Sequence, residues 1–297
     1  MRCRCGKKAV INLKYLGQSF CKDCFIEFFE RRVRKSMAGD LAGVKKLAIG
    51  LSGGKDSSAM AYILSKAVRI PMAAITIDGG IKGYDGKLLA NAKKITRKLG
   101  IKHYVFSFKK EFDYRIDDIA KARPGMCNCG IFRRYLLNKK ARELGAGKIA
   151  IGHNLDDEVE SILMNEMRGD VDRIVRGEGV IKHEKLVPRI KPLKRSPEDE
   201  VALYAKIIFP KMNFNIECPY RKEVLRLHVK NMIDYLESEH PGIKYQIFEG
   251  NKRIRNALLK SEKIGKPNTC KMCGEICSGE VCQVCEFKRQ FYNKGKR

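Results

Sequence analysis

Leu47-Ala48-Ile49-Gly50-Leu51-Ser52-Gly53-Gly54-Lys55-Asp56-Ser57-Ser58 decides the fold, because an apolar run passes through two glycines directly into a helical pattern. The glycines let the backbone approach an anion and aim successive N–H groups at it, and the helix that follows offers its positive N-terminal end. Lys55 and the two serines, Ser57 and Ser58, add side-chain donors. The spacing excludes the G-x-x-x-x-G-K-[ST] loop of kinases and GTPases, since one residue separates the first glycine from the lysine. The stretch therefore predicts a strand, a phosphate-cradling loop and a helix.

Outward from this loop the same alternation continues. Apolar runs at 45–51, 71–78, 102–108 and 148–152 are interleaved with helical patterns at 57–68, 87–99, 131–144 and 156–167. Short apolar runs alternating with helices predict an α/β fold with a doubly wound parallel sheet. Residues 186–193 read as a further strand, Ser196-Pro197-Glu198-Asp199-Glu200 as a capped helix start, and 222–237 as a helical region. The resulting map has an N-terminal cysteine module at 1–35, a catalytic domain at 36–250, a basic linker at 251–268 and a C-terminal cysteine module at 269–297.

The 297-residue chain, 44% hydrophobic, can bury a real core. Its formal net charge of +27 is spread along the whole length and implies a polyanionic partner, nucleic acid first. The rivals are an anionic membrane surface and a generally basic proteome. No apolar stretch is long enough to cross a membrane, and Met1-Arg2-Cys3-Arg4-Cys5 lacks the apolar segment of a signal peptide, so a cytoplasmic protein is expected. Twelve cysteines in that setting point to metals or chemistry rather than disulfides.

Eight of them fall into terminal groups. Cys270-x2-Cys273-x8-Cys282-x2-Cys285 has the paired spacing that meets a tetrahedral zinc ion with little strain, with Cys277 spare between the pairs. Cys3-x-Cys5 followed by Cys21-x2-Cys24 is one residue short in its first pair but can still reach one zinc ion. Both sites read as structural, and the alternative is eight reduced thiols without metal.

The central cysteines stand elsewhere. Cys127 and Cys129 occur in Arg123-Pro124-Gly125-Met126-Cys127-Asn128-Cys129-Gly130, just before Phe132-Arg133-Arg134, and Cys218 occurs in Glu217-Cys218-Pro219-Tyr220. Cys127 and Cys129 fall at the expected carboxyl edge of the sheet, where open α/β folds bind ligands, beside arginines that depress a thiol pKa. Gly152-His153-Asn154-Leu155-Asp156-Asp157-Glu158 reaches the same edge; Asp156 can bind Mg2+ or orient a target, and equally can cap the helix.

Together these residues resemble the tRNA 2-thiouridine synthetases of the TtcA/TtuA group, within the PP-loop ATP pyrophosphatases of the adenine nucleotide alpha hydrolase-like fold. The resemblance rests on SGGKDSS, C-G-x-x-R-R, G-H-N-L-D-D, the E-C-P-Y cysteine and both terminal modules, and it covers essentially residues 1–290. Ile77-Asp78-Gly79-Gly80, Leu163-Met164-Asn165 and Pro188-Arg189-Ile190-Lys191-Pro192-Leu193 are similar to the archaeal and eukaryotic cytosolic branch that thiolates the wobble uridine; the branch acting on the T-loop uridine is the alternative. The resemblance implies that ATP adenylates the C2 oxygen of a uridine and that sulfur then displaces AMP. It assigns phosphate to Ser52, Gly53, Gly54, Lys55, Asp56, Ser57, Ser58 and Arg133, adenine to the backbone around Thr76 to Asp78, and a place near the nucleotide to Gly152. Lys55, Asp156, Cys127, Cys129 and Cys218 take the catalytic roles. The three cysteines either ligate a [4Fe-4S] cluster with one iron open to sulfide, or one carries a persulfide that another resolves by disulfide formation. The family pattern is C-x-x-C-G, and here Met126 stands where its first cysteine belongs, with Cys127 one place later.

The implied partners are tRNA, a homodimer mate and a sulfur donor, either sulfide or a thiocarboxylated ubiquitin-like protein; the cofactors are ATP, Mg2+, the cluster and two zinc ions. Amidation of a small acid, cytidine thiolation and lysine addition to tRNA cytidine are rival uses of the same loop. A non-enzymatic zinc-finger RNA binder is the reading that leaves the loop idle. Lys191, Lys194, Arg195, Arg253 and Arg255 are candidate phosphate contacts.

Overall fold

The computed structural model describes residues 1–122, 129–176, 183–220, 225–261 and 267–294. An N-terminal ribbon, β1 (Ile11–Leu13) and β2 (Gln18–Phe20), leads into α1 (Lys22–Ser36). The alternation follows as β3 (Leu47–Gly50), α2 (Lys55–Ala67), β4 (Met72–Asp78), α3 (Asp85–Leu99) and β5 (Lys102–Ser107). Next come α4 (Phe108–Phe112), α5 (Ile116–Ala122), α6 (Cys129–Glu143), β6 (Lys148–Ala150), α7 (Leu155–Met167), α8 (Val171–Val175) and β7 (Arg189–Ile190). The chain closes with α9 (Glu198–Ile208), α10 (Leu225–Glu239), α11 (Ile243–Ser261), the ribbon β8 (Asn268–Thr269) and β9 (Ile276–Cys277), and α12 (Gln283–Lys294).

Five strands form a parallel sheet in the order β5-β4-β3-β6-β7, as the alternation predicts. Both faces are covered, and the pleat distributes side chains between two cores. In β3, Leu47 and Ile49 enter the core beneath α1, α2 and α9, whereas Ala48 enters the opposite core with α5, α6 and α12. The order places β3 and β6 side by side although two strands separate them in sequence, so the chain reverses direction across the sheet there. That reversal opens a crevice at the carboxyl ends of β3 and β6.

The terminal modules are anchored by aromatic packing. Phe25, Phe29 and Tyr204 are fully buried, and Phe29 stacks on Tyr204 with centroids 4.5 Å apart. Arg32 of α1 binds Glu200 of α9 at 2.6 Å, and the Tyr204 hydroxyl donates to Glu30 at 2.7 Å, so α1 is part of the main core rather than a tethered arm. On the other face Phe287 of α12 meets Phe132 of α6 edge to face at 5.3 Å.

Two expectations change. Residues 251–268 are not an irregular linker as far as 261: α11 runs without a break through Ser261, and 262–266 lie outside the described residues. Its N-terminal half packs Tyr245, Ile247 and Phe248 against α7 and α10, which nucleates a helix that the cationic second half only has to extend. The strand expected over 186–193 pairs only at Arg189 and Ile190, because Pro188 and Pro192 lack the N–H a longer ladder needs.

Candidate active site

The loop after β3 is shaped by one glycine. Gly53 has φ +88°, and a Cβ there would stand 2.0 Å from the Leu88 carbonyl oxygen, so no other residue fits. Gly54 caps α2 without a side-chain hydrogen bond, which leaves the helix's first amides facing the crevice. Gly53 N donates to Ser57 Oγ at 3.2 Å, Gly54 N donates to Ser52 Oγ at 3.3 Å, and the two hydroxyls lie 3.0 Å apart. Amides and hydroxyls thus form one small donor nest. Ser58 does not join it: it is buried and donates to the Gly54 carbonyl at 2.7 Å.

The nest opens into a cavity of about 400 Å3 lined by Ser52, Asp56 and Ser57 on the loop side. Ile75, Ile77 and Leu137 form its apolar wall, and Arg133, Arg134, His153, Asp157 and Arg189 its polar rim. Gly152 completes the floor, since a Cβ there would fall 2.9 Å from Ser57 N. The alternation of β4 leaves its backbone, not the Thr76 side chain, to meet a ligand on the cavity side. Ile75 and Ile77 face the cavity, whereas the Thr76 hydroxyl turns to the far side of the sheet, donating to the Leu51 carbonyl at 2.6 Å and meeting His103 Nε2 at 2.7 Å. Asp78 accepts from Gly80 N at 2.8 Å and shapes the loop after β4.

The rim is electropositive and under-neutralised. Arg133 is held by Asp85 at 2.8 Å and by the Ile77 carbonyl. Burial and then Arg134 lower the pKa of Arg189, whose Nε is buried with no hydrogen-bond partner among the described residues. Burial, with Lys191, Arg226, Arg189 and Arg134 around it, lowers His153 to about 4, so its imidazole is neutral at pH 7. Guanidiniums that crowd one cavity with an orphan donor are arranged for an anionic ligand.

The acids divide differently from what the sequence suggests. Asp156 is buried behind the cavity: its Oδ1 binds Lys244 and its Oδ2 accepts from Glu198 N at 2.7 Å. Asp156 is therefore a structural ion pair here, and the carboxylates facing the cavity are Asp56 and Asp157. Burial raises the pKa of both. Lys55 also points away from the cavity, at 2.8 Å from Glu198 and 3.2 Å from Asp56. Burial opposes its charge, but the acids prevail and raise its pKa. Glu198 binds Lys230 at 2.6 Å, and burial notwithstanding, the two lysines pull it down to about 2. Lys230 and Lys244 share Asp234 at 3.1 and 2.8 Å, so one chain of charges runs from the loop into α10 and α11. Residues so far apart in sequence gave no local signal of this network.

Cys129 opens α6, next to Gly130 on the cavity wall and one helical turn before Arg133. Cys218 comes from the segment after α9 and packs in the same core cluster as Cys129, partly buried. After burial, Cys218 and, more weakly, Cys129 raise the pKa of Tyr84, so both sulfurs share the surroundings of that phenol. Cys127 lies outside the described residues. In each terminal module the four sulfurs lie within 4.8 Å of one another: Cys3, Cys5, Cys21 and Cys24, and Cys270, Cys273, Cys282 and Cys285. The short Cys3-x-Cys5 pair closes through a tight turn in which Gly6, φ +86°, donates to the Cys3 carbonyl at 2.9 Å. Cys277 stands outside its group and donates to the Gly279 carbonyl at 2.9 Å.

Comparison with known proteins agrees with this geometry. The family described as "PP-loop domain" matches residues 26–233, and "2-thiouridine synthetase TtuA, N-terminal LIM domain" matches residues 2–26. The tRNA 2-thiolation protein NcsA of Haloferax volcanii is 34% identical over 97% of this chain and 98% of its own. The tRNA-5-methyluridine(54) 2-sulfurtransferase of Pyrococcus horikoshii is 31% identical over 97% of this chain and 93% of its own. A solved structure, the U34-tRNA thiolase NcsA from Methanococcus maripaludis with its [4Fe-4S] cluster, superposes with a TM-score of 0.84 at 38% identity, covering 98% of this chain and 96% of that one.

Proposed function

This chain belongs to the PP-loop family of tRNA 2-thiolation proteins, and from that premise we propose that it uses ATP to convert a tRNA uridine, the wobble uridine of the anticodon, to 2-thiouridine. The observation that carries the reading is the shared cavity: an anion-binding nest on one wall and the Cys129–Gly130 start of α6 on the other. The uridine C2 oxygen attacks the α-phosphorus of ATP and pyrophosphate leaves; sulfide then attacks C2 and AMP leaves with the oxygen.

The nest amides, Ser52 and Ser57 hold the growing charge on pyrophosphate, and Arg133, Arg134 and Arg189 neutralise the α-phosphate. Ile75, Ile77 and Leu137 receive the adenine. Asp56 and Asp157 are the carboxylates placed for Mg2+, since a cation offsets the cost of burying them. His153, uncharged, can hydrogen-bond a ligand at the cavity mouth without adding a further positive charge beside the arginines. Cys129 and Cys218, with Cys127, are the thiolates to hold a [4Fe-4S] cluster, and the two sulfurs that share the Tyr84 surroundings fit that donor set. When bound, such a cluster supplies an open iron site for sulfide. Each four-cysteine module would hold a zinc ion through its four thiolates, closing the chain at the start of α1 and of α12. Sulfur reaches the site as sulfide or from a thiocarboxylated ubiquitin-like protein, and the reaction is cytoplasmic.

The test is anaerobic purification with iron and sulfide assay, then reaction with unmodified tRNA, ATP and sulfide and mass analysis of nucleosides. The expected result is iron in the protein, one AMP per 2-thiouridine, and the new base in the anticodon fragment. A thiolated T-loop fragment instead would favour the second reading, to which the Pyrococcus relative belongs by name. Absence of both iron and 2-thiouridine overturns the proposal.

A further inference from the structure

Beside the nucleotide cavity lies a second one, about 270 Å3, between α7, α8, the segment after β7 and α11. Arg173, Lys191, Lys194, Arg195, Lys252 and Arg255 line it, and among its lining residues the acid is Glu158, already bound to Lys191 at 2.8 Å. Asp170 and Glu249 engage Arg173 and Arg195 at its edges. These cations come from three places in the sequence, α8, the segment after β7 and α11; four of them, Lys191, Lys194, Arg195 and Arg255, were candidates on charge alone, and the fold gathers them on one cavity. On the same wall Phe248 offers a ring with the Arg195 guanidinium 5.8 Å from its centroid, and Asn165 and Asn251 add amides able to read either donors or acceptors. A cationic trough with one aromatic ring and two amides suits single-stranded nucleic acid, whose phosphates follow the charge while a base stacks on the ring. An acidic peptide would use the charge and leave the ring idle.

The trough leads to the reaction site. Glu158 in the trough lies 3.9 Å from His153 Nδ1 at the nucleotide cavity, and Lys191 follows directly on β7, whose Arg189 lines that cavity. We propose that this trough binds the RNA strand next to the target uridine, its lysines and arginines on the phosphodiesters and the Phe248–Arg195 pair under one flanking base. The inference rests on the tRNA-thiolation reading and adds to it where the strand enters and which residues hold it. A uridine turned out of its stack needs its neighbours fixed, and this trough adjoins the site and can fix them.

The experiment compares three full-length variants with the wild type: Lys194→Glu with Lys252→Glu in the trough, Lys94→Glu with Lys211→Glu beside a distant cavity, and Phe248→Leu. Binding of unmodified tRNA is measured by fluorescence anisotropy across a salt series, with ATP binding and melting temperature alongside. The trough pair is expected to weaken tRNA binding at least tenfold and to reduce the slope of log K against log salt by about two, with ATP binding intact. The distant pair, of equal charge change, is expected to do much less. Phe248→Leu keeps an apolar side chain in place and is expected to lower kcat/KM for tRNA about fivefold or more with the KM for ATP unchanged. Equal effects of the two charge pairs, or wild-type tRNA binding by the trough pair, overturn the proposal. Trough variants that keep tRNA affinity and lose only stimulation by an acidic sulfur-donor protein overturn it in favour of that partner. A wild type that thiolates tRNA while the trough variants behave normally sinks this inference alone, whereas a wild type that neither binds nor thiolates tRNA sinks the functional reading with it.

Discussion

Asp156→Asn should cost stability and leave ATP chemistry in place, while Asp157→Asn, one residue on, should do the reverse. The Asp156 side chain is 6% exposed and the Lys244 side chain 9%, so removing the carboxylate's charge leaves an ammonium buried beside a single partner, Asp234, which is itself 44% exposed. Breaking a buried pair from one side costs roughly 3–5 kcal/mol, and the surviving contact to Asp234 puts this case near 3. For a chain of this length that corresponds to a fall in melting temperature of roughly 6 °C. Asparagine keeps an oxygen for the Glu198 amide, so α9 stays docked and the cavity keeps its shape. The Asp157 side chain is 37% exposed and faces the proposed nucleotide cavity, so Asp157→Asn should shift stability by less than about 1 kcal/mol while reducing AMP release at least tenfold. Melting curves and an AMP assay on both variants decide the matter. A pH series adds a signed check. Burial opposes the charge on Lys244, but Asp156 outweighs it and holds the pKa above the ordinary 10.5. Its contribution is thus fully present below 10.5 and is lost as pH rises through the folded value. The wild type should lose its advantage over Asp156→Asn at alkaline pH. Unchanged stability with lost activity in Asp156→Asn would refute the assignment and return Asp156 to the metal.

Other changes test the rest of the site. Gly152→Ala puts a methyl 2.9 Å from Ser57 N and 3.1 Å from the Asp56 carbonyl carbon, backbone atoms that cannot swing aside. It should cost roughly 1–3 kcal/mol by overpacking and raise the KM for ATP, read by melting and by AMP release. Cys129→Ala and Cys218→Ala should each abolish 2-thiouridine in nucleoside analysis while ATP binding survives, because the nest owes nothing to either sulfur; retained thiolation would favour a rival acceptor. Phe29→Ala empties a fully buried site stacked on Tyr204 and should cost roughly 3–5 kcal/mol in denaturant unfolding, which also tests whether the N-terminal module belongs to the main core. Chelation of metal from the four-cysteine modules should lower the melting temperature before it changes ATP affinity, since neither module lines the nucleotide cavity.

Much of this was legible in the chain. The parallel sheet followed from apolar runs alternating with helical patterns, and the strand order then set β3 beside β6, where the crevice opens. The cysteine spacings brought the two four-sulfur groups together as expected. What failed to show was anything that depends on rotation about a helix axis. Asp156 and Asp157 are neighbours on α7, and one residue turns a helix by roughly 100°, so one faces the cavity and the other the α11 lysine. Local pattern cannot choose between them; the packing of α10 and α11 against α7 does. Lys55 is the same case, since besides its neighbour Asp56 it is drawn to Glu198 from α9, a partner the loop sequence does not reveal.

The sequence by itself determined that a phosphate-binding turn would stand at the end of a strand, because two glycines, a following helix and the spacing to Lys55 are local properties of backbone sterics and helix ends. It also determined that four sulfurs would meet at each terminus, because short spacings limit where a chain can go. The tertiary structure alone decided which carboxylates and arginines share the cavity with the nest, and which distant cations gather into the trough beside it. Those juxtapositions are between residues far apart in the chain, and they exist only because burying apolar faces of α7, α9, α10 and α11 brings the intervening charges together.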